Sequence, residues 1–242
     1  MIKKNSNGVT LSIIIPVYNE KETILKLLKQ VEAVDFGVEY EIIIVDDCST
    51  DGTRKLLHSL KGWTFKSNIK VIFKDKNQGK GAALRRGFTE ASGEIIIVQD
   101  ADLEYQPQDL PQLIKPILQG QTSIVYGSRF LPPHDKNYFR LHYVGNYFMA
   151  WLFRFLYSTK ITDPATCYKI FKREILNKIP PLRLNGFEME SEFTAKILRA
   201  GYQILELPIQ YQARSLTEGK KLNWRHSFKY IWTIIKYRFI NG

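Results

Sequence analysis

Paired carboxylates follow an apolar segment near the middle of the chain. Asp100 and Asp102 come directly after EIIIVQ, and Glu104 continues the same spacing of every second residue. If the strand pattern continues, the two aspartates emerge on one side and Ala101 points away. Two carboxylates so placed repel each other unless a cation lies between them, and hard oxygen ligands suit Mg²⁺ or Mn²⁺. The alternative is an acidic turn with solvated charges.

Two other strand-like segments also end in polar residues. Asp46 and Asp47 follow YEIIIV, where they can hydrogen-bond a ribose or a base edge, or only shape the turn before a helix. In PVYNE, Tyr18 can stack on a base or simply pack, and Glu20 can be a first-turn helix charge. Because three acidic segment ends would converge at one sheet edge, we favour a nucleotide and metal site there.

The elements that must position these residues alternate along the first half of the sequence. Short β-branched runs predict strands over 11–17, 40–45, 69–73 and 94–99, and apolar residues at helical spacing predict helices over 20–34, 51–60 and 80–91. Ser49, Thr50 and Asp51 are suitable N-caps for the second helix. This alternation predicts an α/β fold with a mostly parallel central sheet and helices on both faces. Ligands of such sheets bind beyond the carboxyl ends of the strands.

Basic residues dominate the second half of the chain. The formal net charge is +11, and residues 121–242 carry 19 Lys and Arg against 8 Asp and Glu, whereas residues 1–120 are balanced. Such a half attracts phosphates, nucleic acid or an anionic membrane surface. We expect no nucleic-acid partner, because the sequence has no nucleic-acid-binding motif. Two cysteines are too few for a disulfide framework, and no signal peptide is evident, which favours the cytoplasm.

Basic residues in three segments are candidates for binding phosphate. Arg129 follows the strand-like TSIVYG and can bind phosphate bidentately or pair with a neighbouring acid. Lys80 lies in NQGKG, which does not fit a P-loop and whose glycines suit a tight turn under the nucleotide. Arg214 and Lys220 belong to the polar segment RSLTEGKK, which can close over a diphosphate or be merely solvated.

Carboxylates and aromatic segments of the second half bear on the acceptor. Glu188 and Glu190 lie near the start of a predicted helix, SEFTAKILRAG, where either can be a general base for a hydroxyl or a residue favoured by the helix dipole. Segment 138–157 is aromatic but interrupted by polar residues, so we expect an interfacial or buried helix rather than a spanning one. The last predicted helix, 223–239, has one apolar face flanked by basic residues, which suits a membrane interface or the core equally: Trp224, Phe228, Ile231, Trp232, Ile235 and Phe239.

Together these motifs resemble the inverting GT-A glycosyltransferases of family 2, specifically the dolichyl-phosphate mannose synthase-like branch. The matching stretches are SIIIPVYNE, IIIVDDCSTDGT, NQGKGAALRRGF, GEIIIVQDADLEY and YGSRF, with weaker matches in DPATCYKIF and RSLTEGKK. The resemblance implies a single glycosyltransferase domain over 1–242, with a nucleotide-sugar-binding half (11–130) and an acceptor- and membrane-associated half (131–242). The chain has CYK where many members have Gly-Phe-Lys/Arg, which leaves the acceptor open.

The resemblance also assigns roles to individual residues. It implies that the nucleoside contacts Pro16, Tyr18, Glu20, Val45 and Asp47. The donor site would further include Lys80, Asp100, Ala101, Asp102, Arg129, Arg214 and Lys220, with Asp102 and Glu104 on the metal. The catalytic candidates are Asp100, Asp102, Arg129 and Glu190.

The implied reaction moves a hexose from a UDP- or GDP-sugar to a polyprenyl (dolichyl or undecaprenyl) phosphate, with Mg²⁺ or Mn²⁺ as cofactor. It would take place on the cytoplasmic face of a membrane, to which the protein binds peripherally. The nearest alternative is the same donor chemistry with a glycan or small-molecule hydroxyl as acceptor. A nucleotidyltransferase and a nucleic-acid-binding module are more distant alternatives.

Overall fold

One mixed sheet organises the part of the chain that the structure describes. In this computed structural model the described residues are 10–62, 64–132, 140–213 and 224–240. Seven strands within them form a sheet in the order β3-β2-β1-β4-β6-β5-β7. Their bounds are β1 Leu11–Val17, β2 Tyr40–Asp46, β3 Asn68–Phe73, β4 Ile95–Val98, β5 Ile124–Ser128, β6 Lys169–Lys172 and β7 Leu205–Pro208.

Most neighbouring strands run parallel. The pairs β1–β2, β1–β4, β2–β3 and β5–β7 are parallel, whereas β6 lies antiparallel between β4 and β5. Strands β1 and β2 are almost continuously apolar because both of their faces are buried, as is typical of central parallel strands. Strand β3, at the edge, alternates between more and less exposed residues. The predicted mostly parallel α/β sheet is therefore confirmed.

Seven α-helices are described around this sheet. They are α1 Ile24–Glu32, α2 Thr53–Ser59, α3 Lys80–Glu90, α4 Leu110–Leu118, α5 Arg140–Tyr157, α6 Met189–Arg199 and α7 Trp224–Phe239. Helix α3 packs on β1 and β2, and α4 packs on β5 and β6. Gly87 allows the close approach of α3, since a Cβ there would lie 2.3 Å from a methyl carbon of Ile14. In the described part of the chain, no helix combines the length and apolarity that crossing a bilayer requires.

The predicted element bounds hold within two residues for the first four strands and for α3. Helix α1 is the exception, because it begins at Ile24 rather than at residue 20. Asn19 has a positive φ of 58°, and Thr23 N–H donates to the Glu20 carbonyl, so residues 19–23 form a turn. Glu20 therefore precedes the helix instead of belonging to its first turn. The N-cap of α2 is Gly52 rather than Ser49, Thr50 or Asp51, although the Asp51 carboxylate, one residue earlier, accepts from Thr53 N–H.

Candidate active site

Loops after β1 and β2 are joined at the carboxyl edge of the sheet. Asn19 N–H donates to Ser49 Oγ at 2.9 Å, and Asn19 Oδ1 accepts from Thr50 N–H at 2.8 Å. The positive φ of Asn19 turns the chain so that both groups reach the second loop. Tyr18, the preceding residue, is 39% exposed. The edge thus presents an aromatic ring to solvent, as stacking on a base requires.

The other residues expected to contact the nucleoside differ in their access. Pro16 is half-buried and lies opposite Val45 in the parallel register. Val45 is fully buried in the core and exposes no surface that a ligand could contact. The Glu20 carboxylate accepts a hydrogen bond from Thr23 Oγ1 at 2.6 Å. A nucleoside contact by any of the three stays a prediction.

Both acids at the end of β2 have partners in the fold. Asp47 is buried and accepts from the N–H groups of Gln78 and Gly79, the latter at 2.6 Å, and its carboxylate also pairs with the Lys74 ammonium. Asp46 lies 3.3 Å from Arg54 Nε. Both acids therefore stabilise the local fold, which is one of the two roles that the sequence allowed for them. Asp47 fixes the segment that leads into α3.

Lys80 links two carboxylates at the centre of the site. Its ammonium nitrogen lies 2.7 Å from Asp100 Oδ1 and 2.7 Å from Glu190 Oε1, and only 11% of its side chain is exposed. Lys169, from β6, lies 3.7 Å from Glu190 Oε2. The sequence placed Lys80 and Asp100 in the donor site and Glu190 among the catalytic candidates, and the structure brings these three together. The Lys169 contact was not predicted.

Burial and charge act in opposite directions on these lysines. Burial lowers the pKa of Lys80, but the carboxylates of Asp100 and Glu190 outweigh it and hold that pKa well above its ordinary value. For Lys169, burial dominates and lowers the pKa, although Glu190 partly offsets it. Lys80 is therefore a firmly charged counter-ion between the two acids.

Glycines at the start of α3 make the contact between Lys80 and Glu190 possible. A Cβ on Gly79 would lie 2.6 Å from the Asn185 carbonyl oxygen, and one on Gly81 would lie 2.7 Å from both Leu184 O and Met189 Cβ. With glycine at both positions, the segment before α6 packs directly on α3, and Ala82 N–H donates to Asn185 O at 3.0 Å. The expected turn at NQGKG is thus also a close approach between segments about 100 residues apart.

Beyond β4 the chain leaves the extended conformation. The strand ends at Val98, and Leu103 has a positive φ of 62°, so the every-second-residue alternation does not extend to Glu104. Ala101 is buried, as expected. Asp102 Oδ1 accepts from Glu104 N–H at 3.1 Å, and Glu104 Oε2 accepts from the Tyr211 hydroxyl at 2.5 Å. The expectation of three carboxylates aligned by strand geometry is therefore corrected, because the chain turns at Leu103.

A divalent cation fits Asp100 and Asp102 by the chemistry of their oxygen donors. Within the residues described, no group of three or more His, Cys, Asp or Glu side chains is arranged to enclose a metal. Mg²⁺ usually binds one or two carboxylates and completes its shell with water and substrate phosphates, so two aspartates suffice. The Lys80 ammonium shows that the Asp100 carboxylate accommodates a cation. A ligand role for Glu104 stays a prediction.

Arg129 forms a buried bidentate ion pair. Its Nε and Nη2 each lie 2.7 Å from an oxygen of Asp163, and its backbone N–H donates to the same carboxylate at 3.1 Å. The guanidinium carbon is 5.1 Å from the Tyr211 ring centroid. Of the two roles left open for Arg129, the ion pair is the one present, and contact with substrate stays a prediction. Asp163 was not among the residues predicted from the sequence, although it lies in the matching stretch DPATCYKIF.

Three candidates remain, and the structure describes only one of them. Glu188 is half-buried and immediately precedes α6, as predicted. Arg214 and Lys220 lie outside the described residues. Their expected clamp on the donor phosphates therefore stays a prediction.

These features define a doubly wound α/β protein whose acidic groups gather at the carboxyl edge of its sheet. The glycosyl transferase family 2 model matches residues 12–180, and the chain belongs to that family. The dolichol-phosphate mannosyltransferase of Pyrococcus furiosus is 30% identical over 225 residues, which cover 91% of this chain and 61% of that protein. An undecaprenyl-phosphate 4-deoxy-4-formamido-L-arabinose transferase of Pseudomonas fluorescens is 38% identical over 112 residues, or 46% of this chain and 33% of that one.

Solved structures share the fold. Glucosyl-3-phosphoglycerate synthase from Mycobacterium tuberculosis, in complex with Mn²⁺, UDP and glucosyl-3-phosphoglycerate, aligns with a TM-score of 0.72 and 22% identity. The alignment covers 98% of this chain and 82% of that one. A complex of the same enzyme with Mg²⁺ and UDP aligns with a TM-score of 0.71. The likeness confirms the fold that the resemblance implied. At 22% identity it supports no conclusion beyond the fold.

Proposed function

We propose that the chain is an inverting, metal-dependent glycosyltransferase that moves a hexose from a UDP- or GDP-sugar to a polyprenyl phosphate. The observation that carries this proposal is the position of Asp100 and Asp102 in a family 2 chain, directly beyond β4 and on the edge where β1 and β2 also end. The relatives support the acceptor class, since one is a dolichol-phosphate mannosyltransferase and another an undecaprenyl-phosphate 4-deoxy-4-formamido-L-arabinose transferase.

In this proposal the nucleoside and the diphosphate of the donor bind side by side along the carboxyl edge of the sheet. The exposed ring of Tyr18 stacks on the base, and the segment held by Asp47 lies beneath the nucleoside. Asp100 and Asp102 hold Mg²⁺ or Mn²⁺, which supplies neutralisation of the negative charge on the departing diphosphate. Lys80 compensates Asp100 and Glu190 and so keeps the acidic edge compatible with an anionic ligand.

The acceptor phosphate needs no general base, because it is already anionic at neutral pH. A single displacement at the anomeric carbon by its oxygen would invert the configuration, and the chain contributes by positioning and charge compensation. The contacts of Glu190 agree with this, since its oxygens face the ammonium groups of Lys80 and Lys169. A polyprenyl acceptor resides in a bilayer, so the proposal places the chain on the cytoplasmic face of a membrane.

A hydroxyl acceptor is the alternative to be tested. It would require Glu188 or Glu190 to remove a proton, and Glu190 would first have to leave Lys80. Glu188, which is half-buried and lies at the start of α6, is the more accessible of the two.

The experiment compares polyprenyl phosphate with the dephosphorylated polyprenol as acceptors, at saturating donor with Mn²⁺. The proposal expects sugar transfer to the phosphate only, with near-normal rates from Glu188→Gln and none from Asp102→Asn. Transfer to the polyprenol, together with a loss of about 10²–10⁴ in rate for Glu188→Gln, would replace the proposal with the hydroxyl mechanism.

A further inference from the structure

Helix α5 presents large apolar side chains to solvent along one face. Phe155 is 71% exposed and Trp151 is 47% exposed, and their rings stack with centroids 5.7 Å apart. The exposed apolar residues of α5 recur every three or four positions, which places them on one side: Val144, Tyr147, Phe148, Trp151 and Phe155. The opposite side is buried through Ala150, Leu152 and Phe153. Packing against the fold therefore accounts for only half of this helix.

Helix α7 is divided in the same way. Tyr230, Ile234 and Tyr237 are buried, whereas Trp232 is 64% exposed. Phe228 and Phe239 are also exposed on α7. The sequence left open whether the apolar face of this helix belongs to the core or to an interface. In the structure the helix has both, because its core contacts come from different positions than its exposed aromatics.

These two helices are neighbours. The Tyr157 hydroxyl of α5 donates to Ile234 O of α7 at 2.7 Å, and Arg238 Nε of α7 donates to Leu156 O at 2.6 Å. Their exposed apolar side chains are here called the aromatic platform: Val144, Tyr147, Phe148, Trp151, Phe155, Phe228, Trp232 and Phe239. Clustered apolar side chains on an exposed surface mark a site of interaction rather than ordinary solvent exposure.

The charge of the two helices indicates what kind of surface the aromatic platform binds. Neither the segment 140–157 nor the segment 224–239 contains Asp or Glu, and the basic residues among their described side chains are Arg154, Lys229, Lys236 and Arg238. The +11 excess of the chain lies entirely in residues 121–242. We propose that the aromatic platform binds an anionic bilayer, with its rings at the depth of the lipid headgroups and its basic side chains on the lipid phosphates.

A buried hydrogen-bond network connects this platform to the active site. Tyr237 of α7 donates to the fully buried Glu192 carboxylate at 2.9 Å, and the same carboxylate accepts from Leu184 N–H at 2.8 Å. The next residue, Asn185, accepts from Ala82 N–H, two positions after Lys80. Membrane-bound α7 is thereby tied to the segment that brings Glu190 to Lys80. The inference that this connection orients the site towards a lipid acceptor rests on the proposed function. The inference that the platform binds a membrane does not.

Vesicle co-sedimentation without donor or acceptor tests the platform directly. The wild-type chain is expected to bind phosphatidylcholine vesicles that contain phosphatidylglycerol, and to bind pure phosphatidylcholine and high-salt samples more weakly. Trp232→Glu and Phe155→Glu should each lower the partition constant by about tenfold or more, since each removes a large apolar contact and adds a negative charge. Leu205→Glu, at an exposed position on β7, is the matched control and should bind like wild type.

Several results would overturn this proposal. One is wild-type binding that is absent or equal on neutral and anionic vesicles, and another is equal binding by the platform variants and the control. A lipid-free dimer that the platform substitutions dissociate, measured by light scattering, would instead assign the face to a second copy of the chain. Unfolding of both variants, seen in their melting curves, would show that these faces are buried. Because the assay contains no sugar donor, a failure of glycosyl transfer leaves its outcome unchanged.

Discussion

Replacing Lys80 by methionine removes the cation shared by Asp100 and Glu190 while keeping most of the side-chain volume. The Lys80 side chain is 11% exposed, and both carboxylates lie 2.7 Å from its nitrogen. Removing one partner of a buried pair costs about 3–5 kcal/mol. We expect the lower end, about 3 kcal/mol, because Glu190 retains Lys169 at 3.7 Å. For a chain of this size that loss corresponds to a Tm lower by about 6–12 °C.

The loss should be partly reversed by a divalent cation. Without the ammonium, Asp100 and Glu190 form an uncompensated acidic pair, and Mn²⁺ or Mg²⁺ can take its place. Scanning calorimetry in EDTA and in Mn²⁺ should therefore show a larger increase in Tm for Lys80→Met than for wild type. If the variant binds Mn²⁺ about tenfold more tightly, the additional stabilisation is about 1.4 kcal/mol at concentrations above both dissociation constants.

Lys74→Met is the matched control. It also removes a lysine from a buried aspartate, but Asp47 keeps the N–H groups of Gln78 and Gly79. We expect a loss of about 1–2 kcal/mol and no specific recovery in Mn²⁺. Equal melting of Lys80→Met and wild type in EDTA, or equal Mn²⁺ effects on both, would refute the counter-ion role.

The pH dependence of the Lys80 contribution has a defined sign. Because the fold raises the pKa of Lys80 above its ordinary value of 10.5, the stability it contributes is fully present below 10.5 and is lost as pH rises through the folded-state pKa. The difference between Lys80→Met and wild type should therefore persist at about pH 7 to 10 and shrink only in stronger alkali.

Three further changes test the surroundings of the site. Asp163→Asn should destabilise the chain by about 3–5 kcal/mol in urea titrations, because it leaves the buried Arg129 guanidinium without its carboxylate; unchanged stability would contradict the ion pair. Gly81→Ala should lower both stability and transfer, since the new Cβ meets Leu184 O, whereas Gly62→Ala, which meets nothing within 4 Å, should stay within about 0.5 kcal/mol of wild type. Tyr211→Phe removes the hydroxyl that donates to the Glu104 carboxylate and should strengthen Mn²⁺ binding in calorimetry if Glu104 is a ligand; unchanged affinity would contradict a ligand role for Glu104.

Local patterns were sufficient for the central strands and for the acidic strand ends. Strands β1 and β2 are almost continuously apolar because both of their faces are buried, so the seven residues of each strand are enough to predict it. Asp100 and Asp102 were found for the same reason, since acids directly after such a run are conspicuous. In contrast, β6 has only four residues and pairs antiparallel with strands distant in sequence, so nothing local predicts its place.

The partners within the site depend on distant parts of the chain. Lys80 and Glu190 are 110 residues apart, and Arg129 and Asp163 are 34 apart. Side-chain spacing along the sequence carries no information about such contacts, which arise only when α3, α6 and the strands pack. The alternation that predicted Glu104 beside the aspartates failed at Leu103, where the positive φ of a non-glycine residue has no clear sequence signal.

The central claim is that the sheet edge at Asp100 and Asp102 is a metal-dependent site for a nucleoside diphosphate sugar. Isothermal titration of UDP- and GDP-sugars into the wild-type chain, in Mn²⁺ and in EDTA, tests this most directly, with Asp102→Asn as the variant. We expect one donor to bind in Mn²⁺, with affinity at least about tenfold lower in EDTA and in the variant, because both changes take away the positive charge of the metal next to the diphosphate. Equal affinity in Mn²⁺ and EDTA, or an unaffected Asp102→Asn variant, would contradict the account.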